Sequence, residues 1–402
     1  MDRLLIEPSG PLHGTVEASA AFFAPRVTDV ETMAAILEAL GVRIAWQEDG
    51  RLVIHPNHHA GWTAPYELVS LMRASICVLG PLLAKHGRAR VSLPGGCIIG
   101  PRPVDLHLKG LEALGAVIAV EHGDIVARAE RLVGTTVHLG GPFGSSVLAT
   151  DNVMMAATLA DGTTVIEQAA CEPEVVDLAN VLISMGARIS GHGTSRIQIE
   201  GVARLHGTHH RVIPDRIEVG TLLIAVGMAG GNVQIKGADP SQLGVVVEKL
   251  IEAGVMIEPV NGSMRVQSNR ELKSVDVTTL PFPGFPTDLQ AQITAMMAVS
   301  RGVSLVREKI YPERFMHVPE LKRMGAKITR EGPSVIIQGV EELSGAPVKA
   351  TDLRASAALV LAGLVADKQT VLHGVEHLDR GYQRLEEKLA RLGARIRREE
   401  VH

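Results

Sequence analysis

The chain has few aromatic residues, few cysteines and no long apolar run. Phe, Trp and Tyr make up 3% of the 402 residues, which disfavours recognition of single-stranded nucleic acid by base stacking. The three cysteines, Cys77, Cys97 and Cys171, are odd in number and widely spaced, so they indicate neither a disulfide framework nor a zinc site. No apolar stretch approaches the roughly 18 residues that cross a bilayer.

An excess of charge of one sign is also lacking. The chain has 40 basic and 44 acidic residues and a formal net charge of −4, so its total charge does not indicate a polyanion-binding protein. The opening sequence MDRLLIEPSGPLHG has neither the apolar run nor the small-residue cleavage site of a secretory signal. With unpaired cysteines, these features lead us to expect a soluble, cytoplasmic protein.

A sixfold repeat is the strongest feature that is present. Each copy reads as an amphipathic helix, a glycine, and two short alternating strands joined by a turn, as in LISMGARISGHGTSRIQIEGV. We expect each glycine to cap its helix with a positive φ. The marker glycines are separated by 74, 71, 68, 71 and 68 residues, and they are Gly41, Gly115, Gly186, Gly254, Gly325 and Gly393.

The repeat predicts the fold class. One copy cannot bury its apolar face alone, so six copies must form an open solenoid or two closed groups of three. We favour an α/β (α+β) protein with two domains of three repeats, the first over 20–212 and the second over 1–19 plus 213–402. The 41 residues up to the first marker and the 9 after the last fall about 20 short of one repeat. The first repeat is therefore expected to be shortened.

A glycine-rich segment carries the first candidate group. In PGGCIIGPRPVD, Cys97 lies five residues before Arg102, and a neighbouring guanidinium lowers the pKa of a thiol and favours the reactive thiolate. The alternative is an ordinary surface cysteine in a turn, and local chemistry alone does not exclude it.

Five arginines in turn-like or helix-start contexts form a second candidate group. The forked donors of arginine match carboxylate or phosphate, so converging arginines suit a small polyanion; otherwise they are solvated surface charges. Thr351 and Asp352 predict a helix cap just before one of them. The five are Arg73, Arg102, Arg314, Arg354 and Arg380.

Asp288 is the candidate carboxylate. It lies in FPGFPTDLQAQ, where Thr287 is a possible N-cap and Gln290 follows three residues later. Such a carboxylate often only complements the helix dipole, but it could act as a general base. His107, His317 and His377 lack metal-ligand spacing and no nucleotide-binding glycine motif occurs, so we expect no metal and no cofactor.

Six segments, taken in order, resemble the UDP-N-acetylglucosamine 1-carboxyvinyltransferase family of enolpyruvyl transferases. They are LMRAS, VSLPGGCIIGPRPVDLH, FPTDLQAQ, RFMHVPELKRMGA, ATDLRASAALVLAG and HLDRGYQRLEEKL. The resemblance covers nearly the whole chain from about Val27 and implies two inside-out α/β domains. It also implies transfer of the enolpyruvyl group of phosphoenolpyruvate to the 3′-hydroxyl of UDP-N-acetylglucosamine, with release of phosphate. This reaction begins peptidoglycan synthesis for the cell wall, and the expected protein is a monomer.

The resemblance also implies roles for individual residues. Cys97 matches a loop cysteine linked to phosphoenolpyruvate adduct formation, product release and alkylation by fosfomycin, and Asp288 matches the candidate base. The residues matching phosphoenolpyruvate ligands are Arg102, Arg354 and Arg380, and further active-site arginines are Arg73 and Arg314. The residues matching the UDP-sugar site are Arg102, Pro103, Val104, Asp105, Leu106, Ser146, Val147 and Asp288.

The chain departs from the family pattern near its start. The family has SGAKNAALP followed by a helix, whereas this chain has no Lys-Asn pair anywhere, and the gap is about 18 residues, close to the shortfall of the repeat. Leu148 replaces a glycine, and Cys171 replaces a basic residue. The gap counts against full activity, so a non-catalytic nucleotide-sugar-binding paralogue is the alternative. Transfer to shikimate 3-phosphate is disfavoured, because the PGGC and PRPVDLH segments fit the nucleotide-sugar branch better. Transfer to another nucleotide acceptor stays open, because Leu148 would reshape the pocket.

Overall fold

The computed structural model describes residues 2–19, 24–57, 61–93 and 104–400. These residues form two compact units. Unit 1 contains 2–19, 24–28 and 214–400, and unit 2 contains 29–57, 61–93 and 104–213. Within these ranges, no helix combines the length and apolar character needed to span a bilayer.

The chain opens in unit 1 and then builds unit 2. The two opening strands are β1 (Arg3–Ile6) and β2 (Leu12–Glu17). The helices of unit 2 are α1 (Thr28–Ala39), α2 (Tyr66–Val69), α3 (Leu79–His86), α4 (Asp105–Ala113), α5 (Val147–Ala157) and α6 (Pro173–Ser184), with a 3₁₀ helix at Arg73–Val78. Its strands are β3 (Arg43–Trp46), β4 (Leu52–His55), β5 (Thr63–Ala64), β6 (Arg88–Ser92), β7 (Val117–Glu121), β8 (Asp124–Arg128), β9 (Thr136–His138), β10 (Gly140–Gly141), β11 (Gly144–Ser145), β12 (Thr163–Glu167), β13 (Arg188–Ser190) and β14 (Arg196–Glu200).

The rest of the chain completes unit 1. Its helices are α7 (Arg216–Ala229), α8 (Gly244–Glu252), α9 (Gln290–Ala298), α10 (His317–Arg323), α11 (Leu353–Leu364) and α12 (Leu385–Arg391), with 3₁₀ helices at Pro240–Leu243, Thr287–Leu289 and Val375–His377. Its strands are β15 (Gly231–Lys236), β16 (Met256–Val260), β17 (Ser263–Ser268), β18 (Val277–Thr278), β19 (Val303–Arg307), β20 (Lys327–Glu331), β21 (Ser334–Gln338), β22 (Pro347–Lys349), β23 (Thr370–His373) and β24 (Ile396–Glu399).

Three inner helices form the centre of unit 1. Every residue of α7 and α9 is buried, as is α11 from Ala355 onward, and the three helices contact one another. A helix that is apolar on all sides belongs in a core. Three four-stranded sheets accompany them, in the orders β16-β17-β15-β2, β18-β19-β21-β20 and β22-β23-β1-β24. The predicted inside-out α/β fold is confirmed.

The marker glycines end their helices as predicted. All six have φ between 89° and 104°. At Gly115, the glycine N–H donates to the carbonyl of Glu112 and the N–H of Ala116 donates to the carbonyl of Leu111. This is the Schellman arrangement, which satisfies the last carbonyls of a helix and requires a left-handed residue. The same local device therefore turns each repeat from its helix into the strand that follows.

The first repeat is smaller than the others. A full repeat consists of a strand, an inner helix, a parallel strand, an outer helix and two antiparallel strands, and its strands form one four-stranded sheet. In the repeat marked by Gly393, the second of these antiparallel strands is β1 from the start of the chain. Among the described residues of unit 2, two such sheets occur, β5-β6-β8-β7 and β13-β14-β12-β9, with α3 and α5 as inner helices. The repeat marked by Gly41 shows only α1 and the hairpin β3-β4. The strand–helix–strand half of that repeat is absent from the described part of the chain.

Candidate active site

A carboxylate between two arginines forms the centre of the candidate site in unit 1. Asp288 lies in the 3₁₀ helix that precedes α9. Arg314 Nη1 donates to its Oδ1 over 2.6 Å, and Arg354 Nη2 donates to its Oδ2 over 3.0 Å. The Asp288 side chain is 36% exposed, whereas those of Arg314 and Arg354 are 8% and 11% exposed. An accessible carboxylate is thus held by two largely buried guanidinium groups.

The two arginines reach Asp288 from different elements. Arg354 is the second residue of α11, and Asp352 caps this helix by accepting from the N–H groups of Arg354 and Ala355 over 2.9 and 3.0 Å. The predicted cap is confirmed. Arg314 lies in the segment between β19 and α10. Burial opposes the charge of both side chains, but the Asp288 carboxylate raises the pKa of each above its ordinary value.

Several buried polar atoms on or next to the segments that carry Arg314 and Arg354 lack a hydrogen-bond partner in the described chain. Arg354 Nη1, Thr351 Oγ1 and His317 Nε2 are among them. Burial lowers the pKa of His317 to about 4, so its ring is neutral near pH 7. Unsatisfied buried donors are rare in proteins and often face a ligand. The Arg354 guanidinium nitrogen that lacks a partner in the described chain is suited to bind an anion. The Asp288 carboxylate beside it is suited to accept a proton from a second group bound next to that anion.

Arg354 packs against a buried polar network that was not predicted from the sequence. Its guanidinium carbon lies 5.4 Å from the centroid of the Tyr382 ring. The Tyr382 hydroxyl lies 2.8 Å from Thr221 Oγ1 and accepts from Gln292 Nε2 over 3.1 Å. Burial raises the pKa of Tyr382, so the phenol stays neutral. The sequence signal that could have revealed this network is the presence of polar residues inside α7 and α9, which are otherwise largely apolar.

Thr287 differs from its predicted role as a helix cap. The N-cap position belongs to Pro286, whose side chain makes no capping hydrogen bond. The Thr287 hydroxyl instead donates to Glu308 Oε2 over 2.9 Å and accepts from Arg314 Nη1 over 3.0 Å. The cap prediction was wrong because tertiary partners, rather than the helix amides, take up the hydroxyl.

Other predicted site residues lie elsewhere in the two units. Arg380 is partly buried in unit 1, two residues before Tyr382. In unit 2, Arg73 begins the 3₁₀ helix that ends at Val78, and Ser146 caps α5 by accepting from the Ala149 N–H over 3.3 Å. Val104, Asp105 and Leu106 lie at the start of α4, and Val147 is the first residue of α5. Cys97, Arg102 and Pro103 lie outside the described residues.

A buried amide fixes the elements that carry the unit 2 residues. Asn152 Nδ2, in α5, lies 3.0 Å from the Ile76 carbonyl and 3.1 Å from His107 Nδ1, and its Oδ1 accepts from the Gly80 N–H over 2.6 Å. Burial lowers the pKa of His107 to about 4. Its ring is therefore neutral, and Nδ1 accepts from the amide. The network joins α3, α4 and α5 to the helix that begins at Arg73.

The two remaining departures from the family pattern also lie in unit 2. Leu148 is the second residue of α5 and is partly buried. Burial and the nearby Glu172 raise the pKa of Cys171, so its thiol stays protonated near neutral pH. In α5, Asp151 Oδ1 is buried without a hydrogen-bond partner in the described chain.

Comparisons with known proteins identify the family of this chain. The model of the EPSP synthase (3-phosphoshikimate 1-carboxyvinyltransferase) family matches residues 17–389. The chain is 56% identical, over 376 residues, to UDP-N-acetylglucosamine 1-carboxyvinyltransferase 2 of Carboxydothermus hydrogenoformans, covering 93% of this chain and 89% of that one. It is 48% identical, over 418 residues, to UDP-N-acetylglucosamine 1-carboxyvinyltransferase of Methylacidiphilum infernorum, covering 99% of both chains.

The second alignment also bears on the length of the chain. Its 418 positions exceed the 402 residues of this chain by 16, so that relative has residues that this chain lacks. Among solved structures, the enolpyruvyl transferase NikO from Streptomyces tendae is similar, with a TM-score of 0.86, 24% identity, and coverage of 100% of this chain and 99% of that one. At that identity the likeness shows the fold alone. From the family match and the two curated relatives together, the chain belongs to the EPSP synthase family, among its UDP-N-acetylglucosamine 1-carboxyvinyltransferases.

Proposed function

We propose that the protein transfers the enolpyruvyl group of phosphoenolpyruvate to the 3′-hydroxyl of UDP-N-acetylglucosamine and releases phosphate. The observation that supports this most is the Asp288 carboxylate held between Arg314 and Arg354. It provides a proton acceptor beside a buried guanidinium whose Nη1 has no partner in the described chain. The two curated relatives carry names for this reaction.

The proposed chemistry is an addition followed by an elimination. In the addition, Asp288 accepts the proton of the sugar hydroxyl as the hydroxyl oxygen bonds to C2 of phosphoenolpyruvate, and a general acid gives a proton to C3. In the elimination, the conjugate base of that acid takes a proton from C3, the C2–O bond to phosphate breaks, and the C2–C3 double bond forms again. Positive charge that is already in place stabilises phosphate as it leaves.

The other site residues have proposed roles in binding. We assign phosphoenolpyruvate to Arg354 and Arg380 together with Arg102, and further charge stabilisation to Arg73 and Arg314. Unit 2 holds the UDP-sugar at the start of α4 and at the capped start of α5, where amide donors suit a diphosphate. The residues that we assign to UDP-sugar binding are Arg102, Pro103, Val104, Asp105, Leu106, Ser146, Val147 and Asp288.

A mass measurement of the acceptor tests this function. Purified protein is incubated with phosphoenolpyruvate and UDP-N-acetylglucosamine, and we expect the nucleotide sugar to gain one enolpyruvyl ether. Asp288→Asn, which keeps the shape of the side chain but is a far weaker base, should lower the rate of product formation at least about 100-fold. An active Asp288→Asn variant would remove Asp288 from the mechanism.

The non-catalytic, nucleotide-sugar-binding paralogue remains a second candidate. It is favoured by the first repeat, in which the described residues form a two-stranded hairpin where a full repeat has a four-stranded sheet. Calorimetry with UDP-N-acetylglucosamine separates the two functions. Binding without product would support the paralogue, and binding with product would exclude it.

We further propose that the protein acts as a cytoplasmic monomer in peptidoglycan synthesis and is a target of fosfomycin. In a bacterium that depends on this gene, depletion of the protein should make the cells swell or lyse, because cell-wall precursors would run out.

Light scattering after gel filtration tests whether the protein is a monomer. Intact mass after treatment with fosfomycin and UDP-N-acetylglucosamine should show one adduct, on the peptide that carries Cys97.

A further inference from the structure

A second carboxylate lies behind the Asp288 site. Glu308 directly follows β19, and its side chain is fully buried. Its Oε1 accepts from Thr279 Oγ1 over 2.7 Å and from the N–H groups of Ile310 and Tyr311 over 2.8 and 2.9 Å. Its Oε2 accepts from Thr287 Oγ1 over 2.9 Å. One buried group thus joins the segments that carry Asp288 and Arg314.

The hydrogen count fixes the direction of each bond. A hydroxyl has one proton, and Thr287 donates it to Glu308 Oε2. The Thr287 oxygen is therefore left to accept from Arg314 Nη1 over 3.0 Å. The same Nη1 has a second proton, which goes to Asp288 Oδ1 over 2.6 Å. Glu308, Thr287, Arg314 and Asp288 form one directed chain.

We propose that Glu308 is a positioning residue for Asp288 and Arg314, acting through the Thr287 hydroxyl, and that its loss impairs the transfer step more than substrate binding. This inference rests on the proposed enolpyruvyl transfer. Glu308 touches no reacting atom in this account. It orients the guanidinium, and the guanidinium in turn holds the carboxylate that takes the proton. Small displacements of such groups are costly in rate because the reaction requires near-attack geometry.

A structural role is the alternative, and the chain offers a matched control for it. Thr279 donates to the same carboxylate as Thr287, but to the other oxygen, and its own oxygen accepts from the Lys309 N–H over 2.9 Å. Both threonines help to hold Glu308. Of the two, Thr287 is the one that the described contacts join to Arg314. If Glu308 only stabilises the fold, loss of either hydroxyl should have the same consequence.

The test compares Thr287→Val, Thr287→Ser, Thr279→Val and Glu308→Gln by steady-state kinetics with both substrates, each with a melting curve. We expect Thr287→Val and Glu308→Gln to lower kcat by about tenfold or more, with KM for either substrate changed less than about threefold. Glu308→Gln acts this way because its amide donates to Thr287 and redirects the hydroxyl proton toward Arg314. Thr287→Ser keeps the hydroxyl and should retain most of kcat, as should Thr279→Val.

The double variant Thr287→Val/Glu308→Gln gives a second readout. If the residues act as one directed chain, the second substitution lowers kcat little further. The kcat of the double variant should then be close to that of the more impaired single variant. Equal losses of kcat in Thr279→Val and Thr287→Val would overturn the positioning role. So would a multiplicative loss in the double variant. Failure of the unaltered protein to turn over would overturn the proposed function and this inference with it, whereas an active protein with a normal Thr287→Val variant would overturn the inference alone.

Discussion

Lys388 Nζ donates to Glu218 Oε1 over 2.6 Å in the interior of unit 1, where the Glu218 side chain has no exposed surface. Lys388 also donates to Ser19 Oγ over 2.9 Å, and the Ser19 N–H donates to Glu218 Oε2. Burial raises the pKa of Glu218, while Lys388 opposes that rise. The pair therefore fastens the chain just after β2 to α7 and α12.

Lys388→Met should destabilise the protein by about 3–5 kcal/mol, because it leaves a buried carboxylate without its counter-charge. The measurement is the free energy of unfolding in urea. Glu218→Gln added to Lys388→Met should recover a large part of the loss, since the unpaired charge is then removed. Lys249→Met is the matched control: it breaks the more exposed pair with Glu252 and should cost less than about 1 kcal/mol. Equal losses for the two lysines would contradict this account.

Asp151 should make stability depend on pH. Burial, with Glu174 and Glu172 nearby, raises its pKa from 3.8 to about 7. The folded chain therefore binds the proton more tightly than the unfolded chain, and stability falls as the pH rises from about 4 to about 7. Asp151→Asn keeps the shape of the protonated side chain. It should raise the free energy of unfolding at about pH 8 by roughly 2–4 kcal/mol and change it little at about pH 4.

The control for this prediction carries the same substitution on the surface. Asp49 follows β3 in the turn before β4, and a hydrogen bond from Arg51 holds its pKa below the ordinary value. Asp49→Asn should leave the fall in stability between about pH 4 and pH 7 in place. Melting temperatures across this range provide the measurement. An unchanged pH profile in Asp151→Asn would show that Asp151 is not the titrating group.

The three cysteines should differ in reactivity near neutral pH. Burial and the nearby Asp151 raise the pKa of Cys77 to about 12, and burial also raises that of Cys171. Because the thiolate is the nucleophile, iodoacetamide should label the peptide that carries Cys97 first in the folded protein. Peptide mapping by mass spectrometry gives the order, and Cys97→Ser serves as the control. Earlier labelling of Cys77 or Cys171 would contradict the prediction.

The repeat could be predicted from the sequence because its signals are local. A helix period, a glycine and a strand alternation all lie within about 20 residues, and the Schellman contacts at Gly115 show the same locality. The cap at Asp352 was predictable for the same reason. By contrast, the points at which the chain enters and leaves each unit depend on which strands pair with one another, and this pairing is not a local signal.

The polar networks of the site could not be predicted in this way. Thr221 meets Tyr382 across 161 residues of sequence, and Thr287 meets Glu308 only because their two segments fold against each other. Thr287 looked like a helix cap because its neighbours fit a capping pattern, yet tertiary partners decided its role. Asp288 and Arg354 were candidates from their local sequence, and the family motifs then supplied their expected roles.

Restoring the short repeat should stabilise unit 2. Inserting a family-like SGAKNAALP segment and its helix between Ser19 and Val27 would supply an inner helix to accompany α3 and α5. We expect the shortened repeat to leave apolar surface uncovered, and covering it should raise the melting temperature, because such burial is worth about several kcal/mol. A Gly/Ser insertion of the same length is the control. If both insertions leave the melting temperature unchanged, the shortened repeat has already closed its own core.

Phosphate release from phosphoenolpyruvate, measured with and without UDP-N-acetylglucosamine, tests the central claim most directly. We predict release that requires the acceptor and that Asp288→Ala abolishes, while the variant keeps the melting temperature of a folded protein. This result would establish a working transferase without the Lys-Asn pair. An unaltered protein that is folded and binds the nucleotide sugar, but releases no phosphate, would contradict it.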